Sequence, residues 1–131
     1  MKTKWPKNAT PQQRAAAEEL MRRLQKEYPG RILRAVLFGS VARGTFSDES
    51  DLDVLVLTDR LDTDTKWAMW GVAARVSLDF DVILDPHIYP RELWESLRAQ
   101  GRALCHNIER EGIELRKEAA PAITVPASPP Q

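Results

Sequence analysis

The sequence is poor in the residues that cross-link secreted domains or bind soft metals. Its single cysteine, Cys105, has no partner for an internal disulfide and is typical of proteins in a reducing cytoplasm. Its two histidines are His87 and His106, and with Cys105 they are the whole supply of nitrogen and sulfur ligands for zinc. Because His87 is far from the other two in sequence, this pattern does not favour zinc. We interpret both histidines as surface or helix-packing residues.

The chain also lacks an excess of either charge and an apolar run of membrane length. Nineteen basic residues balance nineteen acidic ones, which argues against sequence-independent binding to nucleic acid. No apolar stretch approaches the roughly 20 residues of a membrane span, and the lysines after Met1 are not followed by the apolar core of a signal peptide. We therefore expect a cytoplasmic protein without a membrane partner.

The length of 131 residues suits one domain. We predict a flexible N-terminus at residues 1–9, a folded domain at residues 10–115, and a disordered Pro- and Ala-rich tail at residues 116–131. Thr10 and Gln13 have the spacing of a capping box, so the first helix should begin there. Hydrophobic patterns then predict strands at 32–38, 51–57, 78–84 and 113–115, helices at 65–77, 91–100 and 102–111, and a turn at 86–90.

The most informative stretch is LFGSVARGTFSDESDLDVLVL, at residues 37–57. Residues 54–57 are an unbroken apolar run, which indicates a strand buried on both faces. Side chains alternate along a strand, so Asp51 and Asp53 should point the same way. Two adjacent carboxylates repel each other, and at neutral pH they need a cation between them or one must hold a proton.

A glycine corner lies near these carboxylates in sequence. Gly39 lets the strand turn sharply and lets its backbone approach a phosphate, and Ser40 offers an N–H and a hydroxyl, with a further role as a helix cap. Arg43 would share the face of Ser40 on a short helix, either holding phosphate or simply being solvated. The predicted third strand adds Asp79 or Asp81. Such oxygen ligands favour Mg²⁺ or Mn²⁺.

Together, GSVARG, SDESDLDVLV and the later DFDVIL resemble the motifs of the polymerase-beta-like nucleotidyltransferase superfamily, in its minimal nucleotidyltransferase (MNT) branch. The resemblance implies an α/β, two-layer fold with a mixed, mostly antiparallel sheet and helices packed on it. It also implies ATP as substrate and two Mg²⁺ or Mn²⁺ ions. The implied residues are Asp51, Asp53 and Asp81 for metal binding and catalysis, with Asp79 as the alternative to Asp81, and Gly39, Ser40, Arg43 and Ser50 for the nucleotide.

The resemblance further implies a partner and a reaction. MNT proteins are commonly paired with a HEPN-domain toxin, a ribonuclease, and silence it by adenylylating a tyrosine or by binding it. Little chain remains here for an acceptor-binding domain, so the leading hypothesis is an antitoxin that transfers AMP from ATP to such a partner. The alternatives are an adenylyltransferase for a small molecule such as an aminoglycoside, and a non-catalytic antitoxin that acts by contact alone.

Overall fold

A computed structural model describes residues 4–45 and 51–116. Within these residues the chain forms four strands and five helices. The strands are β1 (Ile32–Phe38), β2 (Leu52–Thr58), β3 (Leu84–Pro90) and β4 (Ile113–Arg116). The helices are α1 (Pro11–Glu27), α2 (Gly39–Arg43), α3 (Thr63–Phe80), α4 (Arg91–Ala99) and α5 (Ala103–Glu111).

The four strands form one mixed sheet in the order β3-β2-β1-β4. Strand β1 is antiparallel to both β2 and β4, whereas β2 and β3 are parallel and are connected through α3. The predicted α/β class with a mostly antiparallel mixed sheet is therefore confirmed. The short strand predicted at residues 113–115 is also confirmed, and it lies at one edge of the sheet.

Helices cover both faces of this sheet, which adds a layer to the two-layer arrangement predicted. Helices α1 and α3 pack on the face that carries Val54 and Val56, through side chains such as Leu20 and Val72. The opposite face is covered by α4 and α5. Its core consists of Val36, Leu55, Leu57, Trp94, Cys105 and Ile108. Burial on both faces explains the unbroken apolar run of β2, because neither face of that strand meets water.

Helix α1 begins as predicted. The Thr10 side chain accepts a hydrogen bond from the Gln13 N–H, and the Gln13 side chain accepts one from the Thr10 N–H, which completes the capping box. Just before it, Trp5 packs against the core, although it lies in the segment predicted to be flexible. The segments 46–50 and 117–131, which hold Ser50 and most of the predicted tail, lie outside the described residues.

The strand predicted at residues 78–84 is wrong. Helix α3 continues to Phe80, and Asp81 ends it in the left-handed conformation with φ of 53°. The strand begins three residues later, at Leu84, and runs through the segment predicted as a turn. Pro86 and Pro90 suggested that turn, but β3 is an edge strand, where a residue without an N–H is tolerated.

The helical spacing of α3 predicts a core made of Trp67, Trp70 and Ala74, with Met69, Ala73 and Val76 close by, and only part of this core is confirmed. Trp67 is 66% exposed and Ala74 is exposed, while Trp70 is partly buried against the core. The face that packs on the sheet consists of Met69, Val72, Ala73 and Val76. None of the helices in the described part of the chain has the length and hydropathy of a membrane span.

Candidate active site

The register of the sheet brings a glycine corner and two carboxylates to one end of three neighbouring strands. Strand β1 ends at Phe38, which is paired with Asp53 of β2. Asp53 is in turn paired with Asp85 of the parallel strand β3. Gly39 follows Phe38 directly and starts α2. The chain therefore sets a sharp turn beside two acidic side chains that come from different strands.

The cluster on this face consists of Asp53, Asp85 and His87, all partly buried. One ligand atom of each lies within 4.8 Å of the other two. His87 Nε2 is 3.2 Å from Asp53 Oδ1 and 3.5 Å from Asp85 Oδ2. Because side chains alternate along a strand, Asp85 and His87 share a face, and the parallel register places Asp53 beside them. Two carboxylates and an imidazole at these separations are a suitable ligand set for a divalent cation.

The electrostatics of Asp53 favour a nearby positive charge. Burial raises the pKa of the Asp53 carboxyl above its ordinary value, and Asp85 raises it further, while the hydrogen bond and charge of His87 oppose the shift. An ionised Asp53 is therefore incompletely compensated by its protein neighbours. A divalent cation between the two carboxylates would remove this cost, so the residues present fit the metal that the resemblance implies.

Gly39 lies directly against this carboxylate. Its φ is +81°, in the left-handed region, and a Cβ built on it would overlap the Asp53 carboxylate, with Cγ only 3.3 Å away. Both facts require glycine at this position. The sequence predicts glycine here because the chain turns sharply and its backbone approaches another group closely. In the structure, one such group is the Asp53 carboxylate itself.

The predicted nucleotide residues Ser40 and Arg43 lie on α2, next to the corner. Ser40 does not cap the helix as predicted, because the N-cap is Phe38 and no side chain in the described residues caps this end. Gly44 ends the helix in the left-handed conformation. Arg43 Nη1 lies 3.7 Å from Glu111 Oε2. A cavity of about 200 Å³ lies beside it, lined by Phe38, Gly39, Arg43, Leu104, Asn107 and Glu111.

The other predicted acidic residues are not brought together in this cluster. Asp51 is exposed and lies one residue before β2. Asp81 is exposed at the end of α3, four residues before Asp85, so the strand prediction that placed it opposite Asp53 fails. Asp79, near the end of α3, contacts α1 instead, with its Oδ2 2.8 Å from Arg23 Nη2. Ser50 lies outside the described residues.

Sequence reasoning missed Asp85 and His87. The signal was present in LDPHIYP, where an acidic and an imidazole side chain alternate with Leu84, Pro86 and Ile88. Leu84, Pro86 and Ile88 are buried and the residues between them are partly exposed, which is the two-residue period of a half-buried strand. The two prolines outweighed that period in the prediction, and His87 was consequently interpreted as a surface residue.

An α/β fold with a mixed sheet, and paired strand carboxylates beside a glycine corner, define the nucleotidyltransferase class of enzyme. The chain matches the nucleotidyltransferase domain over residues 17–113. It belongs to that family, in its minimal (MNT) branch, which confirms the resemblance read from the sequence.

Two proteins of Methanocaldococcus jannaschii are similar in sequence. The chain is 35% identical over 83 residues to "Putative protein adenylyltransferase MJ0141", a match that spans 63% of this chain and 77% of that protein. It is 32% identical over 79 residues to "Putative protein adenylyltransferase MJ0604", spanning 60% of this chain and 75% of that protein. These similarities confirm that the chain is a nucleotidyltransferase.

Solved structures of toxin–antitoxin pairs are similar in fold. The crystal structure of a toxin–antitoxin with AMP-PNP has a TM-score of 0.54 and 26% identity, covering 76% of this chain and 73% of that one. A mutant of the toxin–antitoxin MntA-HpeT has a TM-score of 0.50 and 26% identity, covering 74% of this chain and 69% of that one.

Proposed function

We propose that this enzyme transfers AMP from ATP to a hydroxyl group of a partner protein, with a divalent cation held by Asp53 and Asp85. The hydroxyl oxygen bonds to the α-phosphorus, pyrophosphate leaves from it, and the hydroxyl proton is released. The observation that carries the proposal is the pairing of these two carboxylates across parallel strands, directly against the Gly39 corner. Asp85 replaces Asp81 in this proposal, because Asp85 and not Asp81 lies across from Asp53.

Each residue then has a role that follows from its position. The N–H groups of Gly39 and Ser40, at the start of α2, would hold the phosphates of ATP. Arg43 would offset phosphate charge from the same helix, with Glu111 orienting its guanidinium. Asp53 and Asp85 would hold the cation. Asp51, which is exposed one residue before β2, is proposed as a further ligand on the family resemblance alone. The cation would supply positive charge against the charge that develops in phosphoryl transfer.

The proposed acceptor is a tyrosine of a HEPN-domain toxin, which makes this protein its antitoxin. The MNT resemblance supports this acceptor, as do the similar proteins that carry the adenylyltransferase name and the similar toxin–antitoxin structures. Nearly all of the described part of the chain builds the sheet and its covering helices. A protein acceptor needs no additional substrate domain on this chain.

The test is transfer of label from ATP labelled at the α-phosphate. The full chain is incubated with MgCl₂ or MnCl₂ and the protein encoded next to it, and label on that protein is measured. We expect Asp53→Asn and Asp85→Asn to lower the rate by about 100-fold or more, because each removes charge from the site of phosphoryl transfer.

The matched control is Asp81→Asn. Asn tolerates the left-handed conformation of this position, so the change removes an exposed carboxylate without straining the helix end. We expect its rate to stay within about twofold of the unmodified protein, since surface changes away from the site have small effects. Loss of activity in Asp81→Asn with retention in Asp85→Asn would overturn the assignment of Asp85. Absence of label on the neighbour with either ion would overturn the proposed acceptor.

A further inference from the structure

His87 occupies a position that the proposed reaction does not yet use. It lies two residues after Asp85 on β3, on the same face, and its Nε2 points at both carboxylates. Its side chain is 30% exposed, close to the 26% of Asp53, so it lies at the same depth in the site. The ring nitrogen is thus directed between two acidic groups of the site.

The separations within the cluster are those of ligands on one ion. Small divalent cations hold their ligands at about 2.1 Å, so two neighbouring ligands at right angles lie about 3 Å apart. His87 Nε2 is 3.2 Å from Asp53 Oδ1 and 3.5 Å from Asp85 Oδ2. One cation can therefore contact all three side chains with only small shifts. In the absence of the ion, His87 Nε2 and Asp53 Oδ1 are within hydrogen-bond distance, and the tautomer with a proton on Nε2 would donate to the carboxylate. As a ligand, the neutral ring carries its proton on Nδ1 and presents the Nε2 lone pair.

An aromatic contact also orients the His87 ring. Phe38, the last residue of β1, contacts the imidazole edge-on, with ring centroids 4.9 Å apart and an angle of 62° between the planes. Three adjacent strands thus contribute to one nitrogen ligand: β3 carries it, β1 orients it, and β2 supplies the carboxylate beside it. Orientation of a ligand by its surroundings is what strengthens a metal site.

We propose that His87 is a direct metal ligand and that it makes this site prefer Mn²⁺ to Mg²⁺. The proposal rests on the cation site of the proposed function and adds the class of ion that the site selects. Carboxylate and water oxygens suit both ions, whereas Mg²⁺ has little affinity for imidazole and transition ions bind it well. Replacing one oxygen ligand by His87 Nε2 therefore shifts the preference towards Mn²⁺.

The test is direct measurement of ion binding to the full chain without ATP or partner. MnCl₂ is titrated and followed by the electron paramagnetic resonance signal of free Mn²⁺, and MgCl₂ is titrated in competition. Pulsed resonance on the Mn²⁺-loaded protein reports nitrogen bound to the ion. We expect tighter binding of Mn²⁺ than of Mg²⁺, and a nitrogen coupling in the loaded protein. His87→Ala should lose that coupling and about 10- to 100-fold in Mn²⁺ affinity, with a much smaller change for Mg²⁺.

Three variants separate the inference from the proposed function. His87→Gln keeps a polar side chain in place, and it should also lose the nitrogen coupling. His106→Ala is the matched control, because His106 is exposed on α5 and outside the cluster. Asp53→Asn should weaken the binding of both Mn²⁺ and Mg²⁺. Equal losses of Mn²⁺ and Mg²⁺ in His87→Ala, or no nitrogen coupling in the loaded protein, would overturn the role of His87 while leaving a carboxylate site. Unchanged binding of both ions in Asp53→Asn would instead overturn the site itself.

Discussion

At the scale of single residues, the site places like charges close together in a partly buried position. Asp53 and Asp85 are neighbours across parallel strands. The Asp53 carboxylate also lies directly against Gly39, at a position where a side chain would overlap it. The interaction with His87 offsets the cost of burying the Asp53 charge only in part, since the pKa of Asp53 stays above its ordinary value. The residues that would serve the reaction are therefore expected to reduce the stability of the metal-free protein.

Asp53→Asn should raise the melting temperature of the metal-free protein by a few degrees at pH 7. The raised pKa means that the folded chain holds this proton more tightly than the unfolded chain does, so the ionised carboxyl lowers stability above the folded-state pKa. The cost disappears as the pH falls below the unfolded value of about 3.8. Thermal unfolding in EDTA from pH 3 to pH 8 measures this. A variant that melts lower than the original protein at pH 7 would contradict the charge-repulsion account.

Gly39→Ala should destabilise the protein more than Gly30→Ala. Both glycines have positive φ, +81° and +76°, so each alanine pays about 1–2 kcal/mol for the left-handed conformation. Only at Gly39 does the added Cβ also overlap the Asp53 carboxylate, whereas nothing lies within 4 Å at Gly30. Urea unfolding measures the two losses, and Mn²⁺ titration should show weakened binding for Gly39→Ala alone. Equal effects on binding would mean that Gly39 acts only through its backbone conformation.

At the scale of helices and strands, local patterns predicted most of the sheet and misplaced one segment. The apolar run of β2, the bounds of β1 and the cap of α1 follow from strong local signals, and the structure agrees with them. The segment from Leu78 to Pro90 does not, because its helix-to-strand boundary is decided by tertiary contacts. Docking of α3 through Val76, and the edge position of β3, override the strand-like alternation of LDFDVIL and the turn-like prolines after it.

The candidate site shows the same division. Gly39 and Asp53 could be predicted, because their roles depend on a turn and on alternation within one strand. The assignment of Asp81 instead of Asp85 came from the misplaced strand boundary, and His87 was lost with it. Which residue of a distant strand lies opposite Asp53 depends on the register of the β2–β3 pair, and no local pattern specifies that register.

Two tryptophans with opposite exposure give a direct test at this scale. Trp94 of α4 is 1% exposed in the core beneath the sheet, so Trp94→Ala should cost about 3–5 kcal/mol. Trp67 of α3 is mostly exposed, so Trp67→Ala should change stability by no more than about 0.5 kcal/mol. Urea unfolding of the two variants measures both. A large loss of unfolding free energy in Trp67→Ala would mean that Trp67 packs in the core, as its helical spacing predicts.

At the scale of the whole molecule, the helical layer over one face is tied together by an ion-pair network. Arg23 of α1 contacts Glu19 on its own helix at 2.6 Å and Asp79 near the end of α3 at 2.8 Å, and Arg22 contacts Glu19 at 2.7 Å. The hydrogen bonds from Arg22 and Arg23 lower the pKa of Glu19 to about 2. The network thus joins two helices that are more than fifty positions apart in sequence.

Glu19→Gln should lower the melting temperature slightly at neutral pH, and the difference should vanish in acid. A lowered pKa contributes stability above the unfolded value of 4.5, and this contribution is lost as the pH falls towards about 2. The effect is small because these side chains are near the surface, where water screens the charges. Glu18→Gln, at an exposed position of the same helix, is the control for removing one negative charge. A difference that persists at pH 2 would indicate a packing role for Glu19.

The long separation between the cluster's members has a consequence for how the chain matures. His87 and Asp53 are 34 positions apart, and they meet only after α3 has crossed over and β3 has joined the sheet edge. A chain in which β3 has not joined the sheet therefore lacks the proposed ion site, and Mn²⁺ bound at that site would shift the folding equilibrium towards the native structure by mass action. Under the proposed function, ion binding would therefore report that the β2–β3 pair has formed.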